Sequence, residues 1–245
     1  MAERTLRVCA LYPDLMNIYA DRGNVLLLER RCQWRGIGFE VVAAGLGEGI
    51  DPAAHDLFYI GGAQDRDQAL CAQDMVDTKR DALHAAADAG RVVLAVCGGY
   101  QLLGHSYELG DEEIPGIGLV DLRTVREEGP RLIGNVAIEV DLPGADGPRV
   151  LAGFENHGGR TYLGAAEQPL GRVLRGHGNT GSSGFEGVIR GSVIGTYLHG
   201  PLLPKNAWFA DWLIATAVGA ADGLAPLEDA LEDAAHSDAR RVAGV

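Results

Sequence analysis

At 245 residues, with 47% hydrophobic and 22% charged side chains, the chain can bury a substantial core as one large domain or two small ones. Its formal net charge of −13 leaves no basic stripe to displace counterions from a polyanion, which argues against a nucleic-acid partner. No apolar run reaches the ~18–20 residues that cross a bilayer, and Met1–Thr5 lacks a signal peptide's apolar region, so a cytoplasmic protein is expected.

Taken along the chain, Leu6–Leu11 reads as a buried strand and Gly23–Arg35 as a helix with apolar positions at Val25, Leu28 and Cys32. Phe39–Ala43 and Asp56–Ile60 are further strands, the second ending at Gly61-Gly62. One long helical pattern covers about 66–89 and stops at Gly90. Arg91–Val96 is a short continuous apolar strand of the kind found in a parallel sheet covered on both faces. Alternating strands and helices predict a doubly wound α/β fold with a mostly parallel sheet.

Beyond about residue 115 the rhythm changes to an antiparallel, β-rich extension. Ile117–Val125, Leu132–Val140, Val150–Phe154, Arg172–Leu174, Gly184–Ile189 and Ser192–Leu198 read as strands, with a tight hairpin at Arg190-Gly191. A helix is expected from about Asn206 to Val218, with Trp208, Trp212 and Leu213 on its buried side. The domain is expected to span 1–220, followed by an acidic, Ala-rich tail over 221–245 that is helical or weakly ordered.

Chemistry concentrates at the end of the Arg91–Val96 strand. Cys97 follows it directly, a helix starts immediately after, and small residues at 95, 98 and 99 allow a sharp turn that exposes the side chain. This is the nucleophile-elbow pattern with cysteine, and a helix N-terminus beside the thiol is expected to favour thiolate. Gly62, ending a neighbouring strand, and Gly98 place two backbone N–H groups where they can converge on a tetrahedral oxyanion. The four cysteines (Cys9, Cys32, Cys71, Cys97) show no C-x-x-C or His/Cys ligand spacing, so no metal site and no disulfide framework is expected. The first three read as buried structural thiols.

A cysteine nucleophile needs a base that takes its proton and later protonates the leaving group. His199 reaches a Gly-Pro loop at the end of an apolar strand, which suits that role. His55, His84 and His236 lie in polar or helical settings and read as solvent-exposed, and His105 as part of the helix after the elbow. His157 and His177, in glycine-rich loops, remain alternatives on spacing alone.

Five motifs together carry a family resemblance: Tyr19-Ala20-Asp21-Arg22-Gly23-Asn24, Ile60-Gly61-Gly62, Cys97-Gly98-Gly99-Tyr100-Gln101, Gly153–Tyr162 and Gly195–Pro201. On them the chain, over about 6–218, resembles the class I glutamine amidotransferases, in the cobyric acid synthase-like branch. Within that branch it is most similar to the small (GatD-type) subunits of bacterial lipid II isoglutaminyl synthases. The resemblance implies Cys97 as nucleophile, His199 as base, Gly62 and Gly98 as oxyanion donors, Gln101 as a substrate contact, and Arg131 as the clamp on the substrate's α-carboxylate. It departs from many class I relatives at Pro201, where a triad glutamate would stand, so a Cys97–His199 dyad is expected, with Glu155 or Asn156 as candidates to orient the imidazole.

The chain has no G-x-x-x-x-G-K-[ST] loop, so ammonia is expected to be used by another polypeptide that binds ATP, with no cofactor on this chain. The resemblance implies that partner to be a Mur-ligase-like (MurT-type) subunit, forming a heterodimer that amidates the D-glutamate of lipid II to D-isoglutamine. A cobyrinate-type synthetase as acceptor, and a catalytically silent regulatory module, are the competing readings.

Overall fold

The computed structural model describes residues 4–18, 21–109, 112–220 and 223–245. Tyr19 and Ala20 of the first quoted motif, and residues 221–222 of the tail, lie outside the described residues. The first half alternates β1 (Thr5–Leu11), α1 (Arg22–Gln33), β2 (Gly38–Ala44), β3 (Leu57–Ile60), α2 (Asp65–Asp74), α3 (Arg80–Asp88), β4 (Val92–Val96) and α4 (Gly98–Leu102). Strands then dominate: β5 (Ser106–Leu109), β6 (Glu112–Pro115), β7 (Leu122–Val125), β8 (Leu132–Val140), β9 (Arg149–His157), β10 (Arg160–Leu163) and β11 (Gly171–Arg175). They continue through β12 (Phe185–Glu186), β13 (Val188–Arg190) and β14 (Val193–Thr196), before helices α5 (Leu202–Lys205), α6 (Ala207–Ala217) and α7 (Ala230–Ala243).

The central sheet has the order β13-β14-β4-β3-β1-β2, parallel except for the β13–β14 hairpin. Its inner strands show why: every residue of β3 (LFYI) and β4 (VVLAV) is buried, as a strand covered on both faces requires. The edge strand β2 leaves Val41 and Val42 about half exposed. From β1 the chain passes to β2 on one side and to β3 on the other, so strand order reverses at β1. In an open α/β sheet, ligands bind at the carboxyl ends of the strands beside such a reversal.

Two four-stranded sheets form the extension, ordered β10-β7-β5-β6 and β12-β11-β8-β9. The nine-residue strands β8 and β9 pair in full antiparallel register from Leu132↔His157 to Val140↔Arg149. Gly187, at φ +66, is where the chain leaves β12 in the extension and enters β13 in the central sheet. The expected single strand Gly184–Ile189 is therefore two.

Other expectations change for physical reasons. The helix expected over 66–89 is interrupted by a π-helical turn at Met75–Lys79, where Thr78 Oγ1 donates to the Asp74 carbonyl (2.7 Å). That turn carries Lys79 inward to Asp74 and the Gly45 carbonyl. Only Leu122–Val125 of the expected 117–125 strand is extended. The elbow helix ends at Leu102, so His105 lies beyond it, exposed and 3.1 Å from Asp121. His55 is buried against Phe58, and His84 and His236 are partly buried, bonded to the carbonyls of Ile117 and Lys205. On α6 the buried face is Ala207, Phe209, Ala210, Leu213 and Ile214, and Trp208 and Trp212 are only half-buried. No helix among the described residues is long and apolar enough to cross a membrane.

Candidate active site

β4 runs straight into Cys97, whose N–H donates to the Thr196 carbonyl of the neighbouring β14 (2.8 Å). Cys97 adopts φ 52 and ψ −105, a conformation that L-residues with a Cβ disfavour by about 1–3 kcal/mol. Packing holds it there. α4 starts at Gly98, and a Cβ at Gly99 would lie 2.7 Å from Ile60 Cγ2 and 2.8 Å from Ile60 O. Glycine at 99 lets α4 sit directly on the end of β3, and the turn at Cys97 follows from that approach.

β14 delivers the histidine. It pairs with β4 in parallel, Thr196 opposite Val96, so Cys97 and His199 leave the same sheet edge from adjacent strands. The His199 backbone is fixed from the other side by β9: His199 N–H donates to Phe154 O (2.9 Å), and Phe154 N–H donates back to His199 O (3.1 Å). Pro201, which stands where a triad glutamate would, packs instead beside Gly23 of α1; a Cβ there would lie 2.9 Å from Pro201 Cγ.

Electrostatics set both groups neutral at rest. Burial pushes the Cys97 thiol up to about 12, reinforced by the charge of Asp21; the Gly98 N–H and the charge of Arg131 oppose it. The expectation that the elbow helix favours thiolate is therefore corrected. Helix α4 has only five residues, and its N-terminal field is outweighed by desolvation of a side chain 7% exposed. Burial likewise lowers the fully buried His199 to about 4, helped by the charges of His157 and Lys205, so the imidazole is a neutral, proton-accepting base near pH 7.

Of the alternative histidines, His177 is exposed. His157 is buried and stacked on Tyr197 with ring centroids 3.6 Å apart, its Nδ1 2.9 Å from the Gly159 carbonyl. The Glu155 carboxylate accepts the N–H groups of His177 (2.6 Å) and Gly178 (3.0 Å) and lies 3.7 Å from His157 Nε2. Asn156 accepts from Arg131 Nε at its side-chain oxygen and from the Arg131 guanidinium at its carbonyl, both at 2.9 Å. So anchored, Arg131 stays exposed at the rim while its charge is felt at Cys97.

Gln101 is buried beneath the elbow. Its amide oxygen accepts from Gln68 Nε2 (2.8 Å) and its amide nitrogen donates to Tyr197 OH (3.1 Å). Tyr197 OH also meets Thr161 Oγ1 at 2.6 Å, and Gln68 reaches the Gly98 carbonyl at 3.3 Å. This chain of contacts ties the elbow to the strand bearing the histidine. In this geometry Gln101 braces the site through its neighbours.

Gly62 and Gly98 both lie against Cys97. A Cβ at Gly62 would stand 3.2 Å from Cys97 Cβ and 3.3 Å from Asp21 Oδ2. Gly62 N–H, however, already donates to Asp21 Oδ2 at 2.7 Å. Sequence reasoning passed over Asp21 as a functional group; it lies within a quoted motif, but only the fold brings it to Gly62, 41 positions away. An apolar cavity of about 300 Å³ is lined by Ala10, Met16, Arg22, Val41 and Tyr59 among others and by none of the candidate residues.

Residues 7–207 match the family model described as the CobB/CobQ-like glutamine amidotransferase domain. Over 205 residues the chain is 40% identical to the lipid II isoglutaminyl synthase (glutamine-hydrolyzing) subunit GatD of Staphylococcus aureus, covering 83% of this chain and 81% of that one. The corresponding subunit of Streptococcus pneumoniae is 37% identical over 214 residues, covering 87% and 80%. Among solved structures, the PurLQS complex of Thermotoga maritima contains a chain that superimposes with a TM-score of 0.60 at 20% identity, covering 88% of this chain and 96% of that one, a likeness of fold.

Proposed function

We propose, on the premise that this chain belongs to the CobB/CobQ-like glutamine amidotransferase family, that it hydrolyses glutamine through Cys97 and His199 and passes the ammonia to a synthetase partner. The observation that carries the reading is the positive-φ elbow of Cys97 on β4, beside the strand whose end bears His199.

The neutral pair sets the order of events. Arg131 receives the α-carboxylate of glutamine, a planar fork against a planar anion. Cys97 Sγ attacks the side-chain amide carbon while His199 takes the thiol proton. Because the resting thiol holds its proton tightly, that transfer accompanies attack. The carbonyl oxygen becomes an oxyanion stabilised by the Gly98 and Gly62 N–H groups. The tetrahedral species collapses, the C–N bond breaks, and His199 returns the proton to nitrogen, so NH₃ leaves and a glutamyl thioester remains. His199 then activates water, which displaces Cys97 and releases glutamate.

Ammonia made at a buried nucleophile has value only to an acceptor close by. The two relatives aligned over more than four-fifths of this chain are subunits of lipid II isoglutaminyl synthases. We therefore assign as acceptor the D-glutamate carboxylate of lipid II, activated by ATP on a Mur-ligase-like partner in a heterodimer. The test is affinity capture of the full chain from its native cytosol, followed by glutamine-dependent amidation of lipid II by the captured complex. Recovery of a ligase-like chain with ATP-dependent amidation is expected. Recovery of a corrin-pathway synthetase instead would overturn the lipid II assignment while leaving the glutaminase intact.

A further inference from the structure

Asp21 stands in the site without a task in the reaction as written. It is fully buried, at the end of the loop after β1, where strand order reverses. One carboxylate oxygen takes the Gly62 N–H at 2.7 Å. The other has no hydrogen-bond partner among the described residues. Although Asp21 precedes the first turn of α1, its side chain makes no capping bond there. Its backbone carbonyl accepts from Asn24 N–H and, at 3.3 Å, from Tyr59 OH, so the main chain is held independently of the carboxyl group.

A buried carboxylate with one oxygen unsatisfied is costly. The native fold tolerates it against the backbone donor that the glutaminase reading needs for the oxyanion. Burial pushes the Asp21 carboxyl group up to about 7 against the Gly62 N–H, and in its charged form it is, after burial, the largest influence holding the Cys97 thiol protonated. Substrate oxyanion and Asp21 carboxylate are the same kind of acceptor, and Gly62 has a single N–H to give.

We propose that Asp21 is a latch on the oxyanion hole: its carboxylate occupies the Gly62 N–H in the resting chain and must swing away before the tetrahedral intermediate can form. The inference rests on the glutaminase reading and adds a regulatory element to the same site. A chain so latched hydrolyses glutamine slowly by itself. An event that draws Asp21 off Gly62, such as engagement of the synthetase partner, releases the donor.

The experiment compares the wild-type chain with Asp21→Ala and with the isosteric Asp21→Asn. It reads glutamate release from glutamine by the chain alone and with its partner, together with the rate of Cys97 alkylation by iodoacetamide. Removing one oxyanion donor from a hydrolase costs ~10²–10³-fold in rate, so freeing a blocked one in Asp21→Ala is expected to raise release by the chain alone about 10-fold or more. The gap between free and partner-bound enzyme should narrow correspondingly, and alkylation should quicken. Asp21→Asn keeps a neutral, weaker acceptor and should raise release by a smaller factor, about threefold; it decides the matter if the alanine variant does not fold. If the wild type hydrolyses glutamine and neither folded variant is faster alone, the latch is wrong and Asp21 supports the site. If no form releases glutamate, partner-bound enzyme included, the glutaminase reading itself fails.

Discussion

In the proposed site Cys97 and His199 both rest uncharged, and this has a pH signature. His199 is lowered to about 4 by burial, so its proton-accepting form persists below the ordinary histidine range. The sign is that of a depressed pKa: the competent base is present above about 4 and lost as pH falls through it. The acid limb of kcat/KM for glutamine is accordingly expected well below pH 6, measured in buffers where the fold is intact by circular dichroism. A limb centred at 6.5 or higher would show that His199 is not held as described. The placement of both side chains at the ends of adjacent strands was legible from sequence, because an apolar strand running into a glycine turn is a local pattern. The state of the thiol was not. The helix field is local and readable, but the desolvation that outweighs it comes from loops and strands distant in the chain. Asp21 was obscure for the same reason.

Among elements, the junction of β4 and α4 rests on a close packing contact. Gly99→Ala would drive a methyl group into Ile60 and the Gly61 carbonyl, which lie 2.7–2.9 Å from where its Cβ must be. Backbone on one side leaves little room to yield. Overpacking of this kind costs ~1–3 kcal/mol, and here it also turns the elbow. Urea unfolding of Gly99→Ala should show that loss of stability together with a fall in glutamine turnover; wild-type stability with wild-type turnover would refute the contact. The strands of the central sheet were legible because burial on both faces writes continuous apolar runs such as Val92–Val96. β5, β6 and β10 were not, since segments like Glu112–Pro115 and Arg160–Leu163 are short and polar: β6 exists through its hairpin with β5, and β10 through non-local pairing with β7. The π-helical turn escaped as well, because what it satisfies is the distant Gly45 carbonyl reached by Lys79.

On the scale of the whole molecule, the two ends of the chain are clasped by one buried arginine. Arg31 of α1, fully buried, forms paired contacts with Asp211 of α6 (2.5 and 2.6 Å) and with Asp229 (2.8 and 2.7 Å), which immediately precedes α7. α7 buries none of its own residues, so this clasp and its contacts with β8, β9 and α5 are what place the C-terminal segment. Arg31→Ala would strand the Asp229 carboxylate, leave Asp211 with Arg35 alone (2.7 Å), both acids being about a quarter exposed, and remove a large buried side chain. Removing one partner of a buried ion pair costs ~3–5 kcal/mol; with partly solvated acids, about 2–3 kcal/mol is expected. Calorimetry should show a single transition at lowered Tm, and an unchanged Tm would contradict the clasp. The layered α/β plan was legible from the alternation of elements; this long-range tie was not, because an arginine in a helical pattern reads by default as solvent-facing.

All three scales converge on one sulfur atom. Glutamate release from glutamine should be measured for the wild-type chain with its partner and for Cys97→Ala, which removes Sγ and leaves the backbone path of the elbow in place. Ammonia and glutamate in equal amounts are expected from the wild type, and neither above background from a folded Cys97→Ala. Glutamate release at the wild-type rate by that variant would contradict the proposed reaction.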